Sequence, residues 1–366
     1  MAQITLKSLA HTYSANPKGP EDYAIREMQH VWEQGGAYAL LGPSGCGKST
    51  LLNIISGLLE PSDGDILFDD TRVNKLKPEQ RNIAQVFQFP VVYDTMTVFE
   101  NLAFPLRNIG VPEHKVKSKV YEVAEVLELT EQLNRKAKGL SADQKQKVSM
   151  GRGLVRDDVS AILFDEPLTV IDPQLKWKLR RKLKQIHKQF NTTMVYVTHD
   201  QLEASTFADK IALMFEGQIV QFGTPRELFE SPKHTFVGYF IGSPGMNFIT
   251  PELTDRGLEF EGQLMPVADR MVAHLRQSGI TNIKLGIRPE FVHVWTEAND
   301  DAFEVTIQDI EDLGTYRIMS FRFGSIPMKA RLHEDQKVPD KKARVSFPEQ
   351  WLKVYADEYL LELPHE

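Results

Sequence analysis

The chain has 366 residues, 42% of them hydrophobic and 25% charged, which predicts two or three ordinary globular domains with ample core. Its net charge of −7 gives no electrostatic reason to expect a nucleic-acid partner. A single cysteine, Cys46, excludes an internal disulfide and fits a reducing compartment. No run approaches the roughly 18 apolar residues of a membrane span, and the first residues carry no apolar secretory core, so a soluble cytoplasmic chain is expected.

In chain order, Ile4, Leu6 and Leu9 open a strand pattern, and residues 16–22, with Pro17, Gly19 and Pro20, read as a turn. Residues 37–41 form an apolar run and residues 51–59 a helical one. Between them lies Gly42-Pro43-Ser44-Gly45-Cys46-Gly47-Lys48-Ser49-Thr50, a complete G-x-x-x-x-G-K-S loop in the strand–loop–helix setting that such a loop needs. Its glycines let successive amide N–H groups point at one anion, and the helix N-terminus adds its own. Lys48 has the reach for β- and γ-phosphate oxygens, and the Ser49 hydroxyl can ligate Mg²⁺. A nucleoside triphosphate is the expected ligand.

From about residue 89 to 155 the pattern turns helical, with Val116, Val120, Val123, Val126 and Leu127 at three- and four-residue spacings. Residues 161–164 and 193–197 are short apolar runs suited to buried parallel strands. The basic amphipathic stretch 175–190 lies between them as a helix, its lysine-rich face expected to be solvated. Residues 211–215 and 218–222 read as a strand pair about Glu216-Gly217. Beyond Pro244, short alternating stretches at 283–287, 291–295, 303–307, 317–323 and 328–332 predict a small all-β barrel, with a domain boundary between 231 and 245.

Three further features carry chemistry. The run 162–164 delivers Asp165 and Glu166 to the C-terminal edge of a strand, where α/β sheets place ligands. Asp165 can hold Mg²⁺ through water, and Glu166 can orient or deprotonate an attacking water, although a strand ending in an acidic turn gives the same letters. His199, after the run 193–197, can meet a γ-phosphate, and Gln88 can reach metal and water where the first strand-rich region closes.

These elements in this order resemble the nucleotide-binding subunits of ATP-binding-cassette transporters over roughly residues 1–240. The sub-type resembles the ATPase of maltose-type sugar and polyol importers, because the likeness continues into 241–366, where Leu285-Gly286-Ile287-Arg288-Pro289-Glu290 is similar to that family's barrel motif. The resemblance implies an α/β P-loop NTPase with a RecA-like core, an antiparallel β subdomain and a helical insert at about 89–155, followed by an OB-like (TOBE-type) barrel for regulation or dimerisation. It makes residues 42–50 the Walker A loop, Asp165 the Walker B aspartate, Glu166 the catalytic glutamate, Gln88 the Q-loop glutamine and His199 the switch histidine. Asp172 matches the D-loop aspartate. Tyr13 falls where an aromatic residue stacks on adenine, though an exposed strand tyrosine is an equal account of it. ATP and Mg²⁺ are implied, as are transmembrane permease subunits, a second ATPase subunit and, indirectly, an external solute-binding protein. Nucleic acid is not. The implied place is the cytoplasmic face of the plasma membrane, held peripherally. Phe89, Val91 and Val92 fit either a permease-contact floor or core packing.

The chain departs from its family at the signature. Leu-Ser-Gly-Gly-Gln, which caps the γ-phosphate of ATP on the partner subunit, here reads Leu140-Ser141-Ala142-Asp143-Gln144. Ser141 and Gln144 still make a capping-box pattern, but two glycines are gone and Asp143 adds a like charge. At about 5 Å and an effective dielectric near 20, that repulsion is about 3 kcal/mol per charge pair. The D-loop departs as well, reading Thr169-Val170-Ile171-Asp172. The chain's own half-site is intact and the damaged signature serves the opposite one, so a heterodimer with a different ATPase subunit is expected. A non-hydrolysing subunit that binds ATP to hold a complex together is the alternative.

Overall fold

The computed structural model describes residues 2–190, 192–296, 299, 302–337 and 341–362. It divides into two compact units, Met1–Pro225 and Arg226–Glu366.

The first unit opens with β1 (Ile4–Thr12), β2 (Tyr23–Trp32), β3 (Ala37–Leu41), α1 (Lys48–Ser56), β4 (Asp63–Phe68), β5 (Thr71–Arg72) and β6 (Ile83–Val86). Three helices follow, α2 (Val98–Asn108), α3 (Glu113–Val126) and α4 (Ala142–Leu154). The chain then runs β7 (Ala161–Asp165), α5 (Pro173–Phe190), β8 (Met194–Thr198), α6 (Gln201–Phe207), β9 (Lys210–Phe215) and β10 (Gln218–Gly223). An antiparallel sheet has the order β2-β1-β4-β5, and a mostly parallel sheet the order β10-β9-β3-β8-β7-β6. Leu51, Leu52, Ile54 and Ile55 of α1 share one buried cluster with Leu6 and Leu9 of the first sheet and Leu40, Leu163 and Val195 of the second.

Local chemistry explains the elements. Ile4, Leu6 and Leu9 break strict alternation, yet all three are buried, because the β1 register shifts between Leu6 and Leu9. Ser8 stands there at φ 44°, a bulge that returns Leu9 to the core face. All five residues of β3 are buried, as a strand paired in parallel on both sides requires. Glu216 and Gly217, both at positive φ, close the β9–β10 hairpin in the sense that suits strand twist. In the helical insert, Thr97 and Glu100 form a capping box at α2, and Val116, Val120 and Val123 are the buried stripe of α3. On α5, Leu179, Leu183 and Ile186 face inward, while Lys178, Arg181 and Lys188 are exposed, as the solvated-face reading expects.

The second unit is mainly antiparallel. Ile283–Ile287 pairs with Asn247–Ile249 and Lys353–Ala356, and Phe303–Asp312, Tyr316–Phe323 and Ile326–His333 form a meander extended by Lys342–Ser346. Beside these strands stand three helices, α7 (Pro225–Glu230), α8 (Thr235–Phe240) and α9 (Asp269–Ser278). Arg288, 1% exposed, has a guanidinium that donates to the carbonyls of Phe229 and Ile241 and, at 3.3 Å, of Leu228. It also lies 4.0 Å from the Phe229 ring centroid. These bonds tie the segment after residue 225 to the strands, and an arginine near a barrel motif does not announce them.

His30 packs edge-on against Trp32 and Phe222 in the first unit, and burial pushes its imidazole down to about 4. A depressed folded value means stability that is complete above the ordinary value of 6.5 and is lost as pH falls toward 4. Thermal denaturation scans across that window should show a falling Tm, and His30→Phe should flatten this part of the curve.

Candidate active site

Strand register assembles the site. Leu41 of β3 lies opposite Thr198 of β8, and Val197 of β8 lies opposite Asp165 of β7. Three strands therefore end level, and the loop starting at Gly42, the pair Asp165-Glu166 and His199 all emerge at one sheet edge. The sequence predicted each of these separately; the register brings them together.

The loop runs into α1 through Gly47 at φ 101°, where an added Cβ would stand 2.4 Å from the Ala24 carbonyl oxygen. Gly45, at φ 82°, has open space around it. Lys48 is only 6% exposed, and its ammonium donates to the carbonyls of Gly42 at 2.9 Å and Pro43 at 2.8 Å. The charge is thereby held against the start of the loop. Cys46 is buried with its Sγ 4.0 Å from that ammonium, and burial pushes its thiol up. Thr50 Oγ1 lies 3.2 Å from the hydroxyl of Tyr13, whose ring is 68% exposed beside the loop. The same ring packs edge-on with His11, centroids 4.7 Å apart.

Asp165 hydrogen-bonds Ser49 of the loop. Burial, with the charge of Glu166 next to it, pushes the Asp165 carboxyl above the usual range, while Ser49 and Lys48 pull it down. A half-buried carboxylate and a hydroxyl, charged against a neighbouring carboxylate, are hard oxygen donors that suit Mg²⁺. Glu166 has φ 44°, a left-handed conformation that a glutamate rarely adopts. Its N–H donates to Val197 O at 3.0 Å, and its carbonyl accepts the Thr169 hydroxyl at 3.0 Å, so both sides of the turn are pinned. The side chain that results meets His199, Nδ1 to Oε1 at 3.1 Å. Gln88, half-buried, follows β6 on the far side of β7. Asp172 accepts Gln174 N–H at 2.9 Å and so starts α5.

The signature segment departs from the others in detail. Gln144 Oε1 accepts the Ser141 N–H at 3.2 Å, as the capping-box pattern expects. The Ser141 hydroxyl donates to the Asp143 carboxylate in a short contact. Asp143 thus occupies the serine as well as adding charge. Glu203, not foreseen from the sequence, is a 4% exposed carboxylate that accepts from Tyr196 at 3.1 Å and Thr198 at 2.9 Å under the His199 turn. Its only signal was a glutamate three residues past Asp200, which reads as helix capping.

The ABC transporter family model matches residues 25–169, and the MalK OB fold domain model matches residues 242–292. The chain is 40% identical, over 86% of its length and 80% of the relative's, to an sn-glycerol-3-phosphate import ATP-binding protein of Psychromonas ingrahamii. A trehalose/maltose import ATP-binding protein of Thermococcus litoralis is 39% identical over 86% of this chain and 88% of its own. Among solved structures, cbiO1 of Clostridium perfringens, part of an ABC transporter complex, superposes with a TM-score of 0.56 at 26% identity, covering 62% of this chain and 90% of that one. The chain belongs to the ATP-binding subunits of ABC importers, with a P-loop ATPase unit and a MalK-type OB domain. Among the described residues no helix is long and apolar enough to cross a membrane.

Because the ionised Asp165 is disfavoured by its surroundings, Asp165→Asn should remove metal-dependent ATP turnover while raising Tm by about 1–3 °C. Calorimetry beside an ATPase assay checks both signs; a lower Tm would contradict the strain assigned to this carboxylate.

Proposed function

We propose that this chain hydrolyses ATP to energise import of a sugar or a polyol such as glycerol through a membrane permease, working peripherally at the cytoplasmic face. What supports the reading is the Glu166–His199 pair, set at the same strand edge as the Lys48 loop. The Lys48 ammonium pairs with β- and γ-phosphate oxygens, and the loop amides cradle them. Ser49 and Asp165 would hold Mg²⁺ with Gln88 nearby, and the ion supplies neutralisation of phosphate charge. Glu166 orients the attacking water and takes its proton at a carboxylate oxygen, while His199 Nδ1 fixes that carboxylate and aligns it. Tyr13 offers its exposed ring to the base. Ser141, Gln144 and Asp172 face a second ATPase subunit across a shared nucleotide. Differential affinity of ATP for the closed pair drives the permease, which a solute-binding protein outside the membrane loads.

That second subunit is different from this one, and Asp143 favours this reading. A like charge that also engages Ser141 makes a poor γ-phosphate cap, so a homodimer would hold two weakened sites. A partner with an intact signature completes the site that contains Lys48 and Glu166. The intact Glu166–His199 pair argues for hydrolysis over a purely ATP-holding role.

Glu166→Gln should retain magnesium-dependent ATP binding and lower turnover about a hundredfold or more in the assembled transporter. Unchanged turnover would remove Glu166 from its role. For the pairing, Ala142→Gly combined with Asp143→Gly should raise turnover of the protein alone at least about fivefold. If the unmodified protein alone already matches the complete transporter, the hetero-pair reading fails.

A further inference from the structure

Gln146, in the second turn of α4, is fully buried at 0% exposure, and nothing in the reaction described above uses it. Its amide nitrogen donates to Phe87 O at 3.0 Å and to Pro167 O at 2.9 Å. Phe87 immediately precedes Gln88, and Pro167 immediately follows Glu166. One side chain therefore ties the helix that starts at Ser141 to the neighbours of both groups assigned to water and metal.

The orientation of the amide follows from its partners. Two carbonyl oxygens need donors, so the nitrogen faces them, and the carbonyl Oε1 is left buried with no hydrogen-bond partner. Methionine or leucine could fill the space without an unpaired acceptor, but would leave the Phe87 and Pro167 carbonyls without this donor. What glutamine adds is a pair of N–H groups aimed at two loops. The same face of α4 continues the attachment: Ser149 accepts Val91 N–H at 3.2 Å, and Arg152 donates to Val91 O at 2.6 Å. Residues 146, 149 and 152 are spaced three apart, so successive turns of α4 grip the 87–91 segment in line.

We propose that Gln146 is a positioning residue for ATP hydrolysis, which holds the Gln88 loop and the Glu166 turn in register with the signature helix. The inference rests on the ATPase reading. Movement of α4 when Ser141 meets a partner's nucleotide is carried through the two hydrogen bonds to this chain's own hydrolytic groups. Nucleotide binding depends on the Lys48 loop, which Gln146 does not touch, so the residue governs turnover and leaves affinity alone.

Gln146→Met keeps the volume and removes both donors. With the partner subunits supplied, its kcat for ATP should fall about tenfold with KM within about twofold of the unmodified protein, and Tm should stay within a few degrees. Gln146→Glu, the same size with no N–H to give when ionised, carries the same expectation and decides the matter if the methionine variant does not fold. A kcat within about twofold of the unmodified protein overturns the proposal, as does a matched loss of kcat, affinity and Tm. Failure of both variants to fold marks Gln146 as structural and overturns it as well. The unmodified protein is assayed alongside: if it shows no ATP binding or turnover, the functional reading itself has failed, which is a separate result.

Discussion

The level ending of β3, β8 and β7 is the constraint on which the site depends. Each strand is buried on both faces and paired on both edges, so a slip of one residue would turn core side chains toward the wrong layer. Register is thereby fixed by hydrophobic packing far from any reacting atom. With Leu41 opposite Thr198 and Val197 opposite Asp165, the phosphate loop, the carboxylate pair and the histidine have no other edge at which to emerge. The chemistry inherits its geometry from the core. The left-handed backbone at Glu166 is the local cost of turning that inherited position into a usable one, and its bonds to Val197 and Thr169 hold it there.

How much of this was legible in the sequence depends on the range of the interaction. The loop at 42–50 could be read because its function lies in consecutive amides, glycines and one lysine, all within one turn of chain. The apolar runs of β3, β7 and β8 were legible for the same reason: strands buried on both faces need no alternation. β1 was less plain, since Leu9 returns to the core only through the bulge at Ser8, which no periodicity predicts. The attachment of residues 228–241 to the strands was not legible, because one buried guanidinium, Arg288, gathers carbonyls some 47 to 60 residues earlier in the chain. Glu203 and Gln146 were invisible for a related reason. Each acts inward on residues distant in sequence, while its local letters spell an ordinary helix start.

The signature segment shows what a single substitution can do in two ways at once. Asp143 is a favourable acid in the first turn of α4, where it meets the positive end of the helix dipole. The same carboxylate accepts the Ser141 hydroxyl, so on the proposed reading it stabilises its own helix while spoiling the helix end as a phosphate cap. Stability and function are opposed within one turn. The own half-site shows the reverse: Asp165 and Glu166 are adjacent carboxylates that repel, one of them pushed toward protonation, yet each stands where phosphate chemistry needs it.

This opposition gives α4 its place in the argument. Its N-terminus departs from the family pattern at Ala142 and Asp143, while farther along Gln146, Ser149 and Arg152 hold residues 87–91 and Pro167. The buried amide leaves its own oxygen unpaired while its nitrogen satisfies the carbonyls of Phe87 and Pro167. On the proposed reading the altered end meets a partner's nucleotide, while these hydrogen bonds hold α4 to this chain's own residues 87–91 and Pro167. If the proposed role of Gln146 holds, this inward attachment, and not the signature letters alone, sets the position of the Glu166 turn through the bond to Pro167.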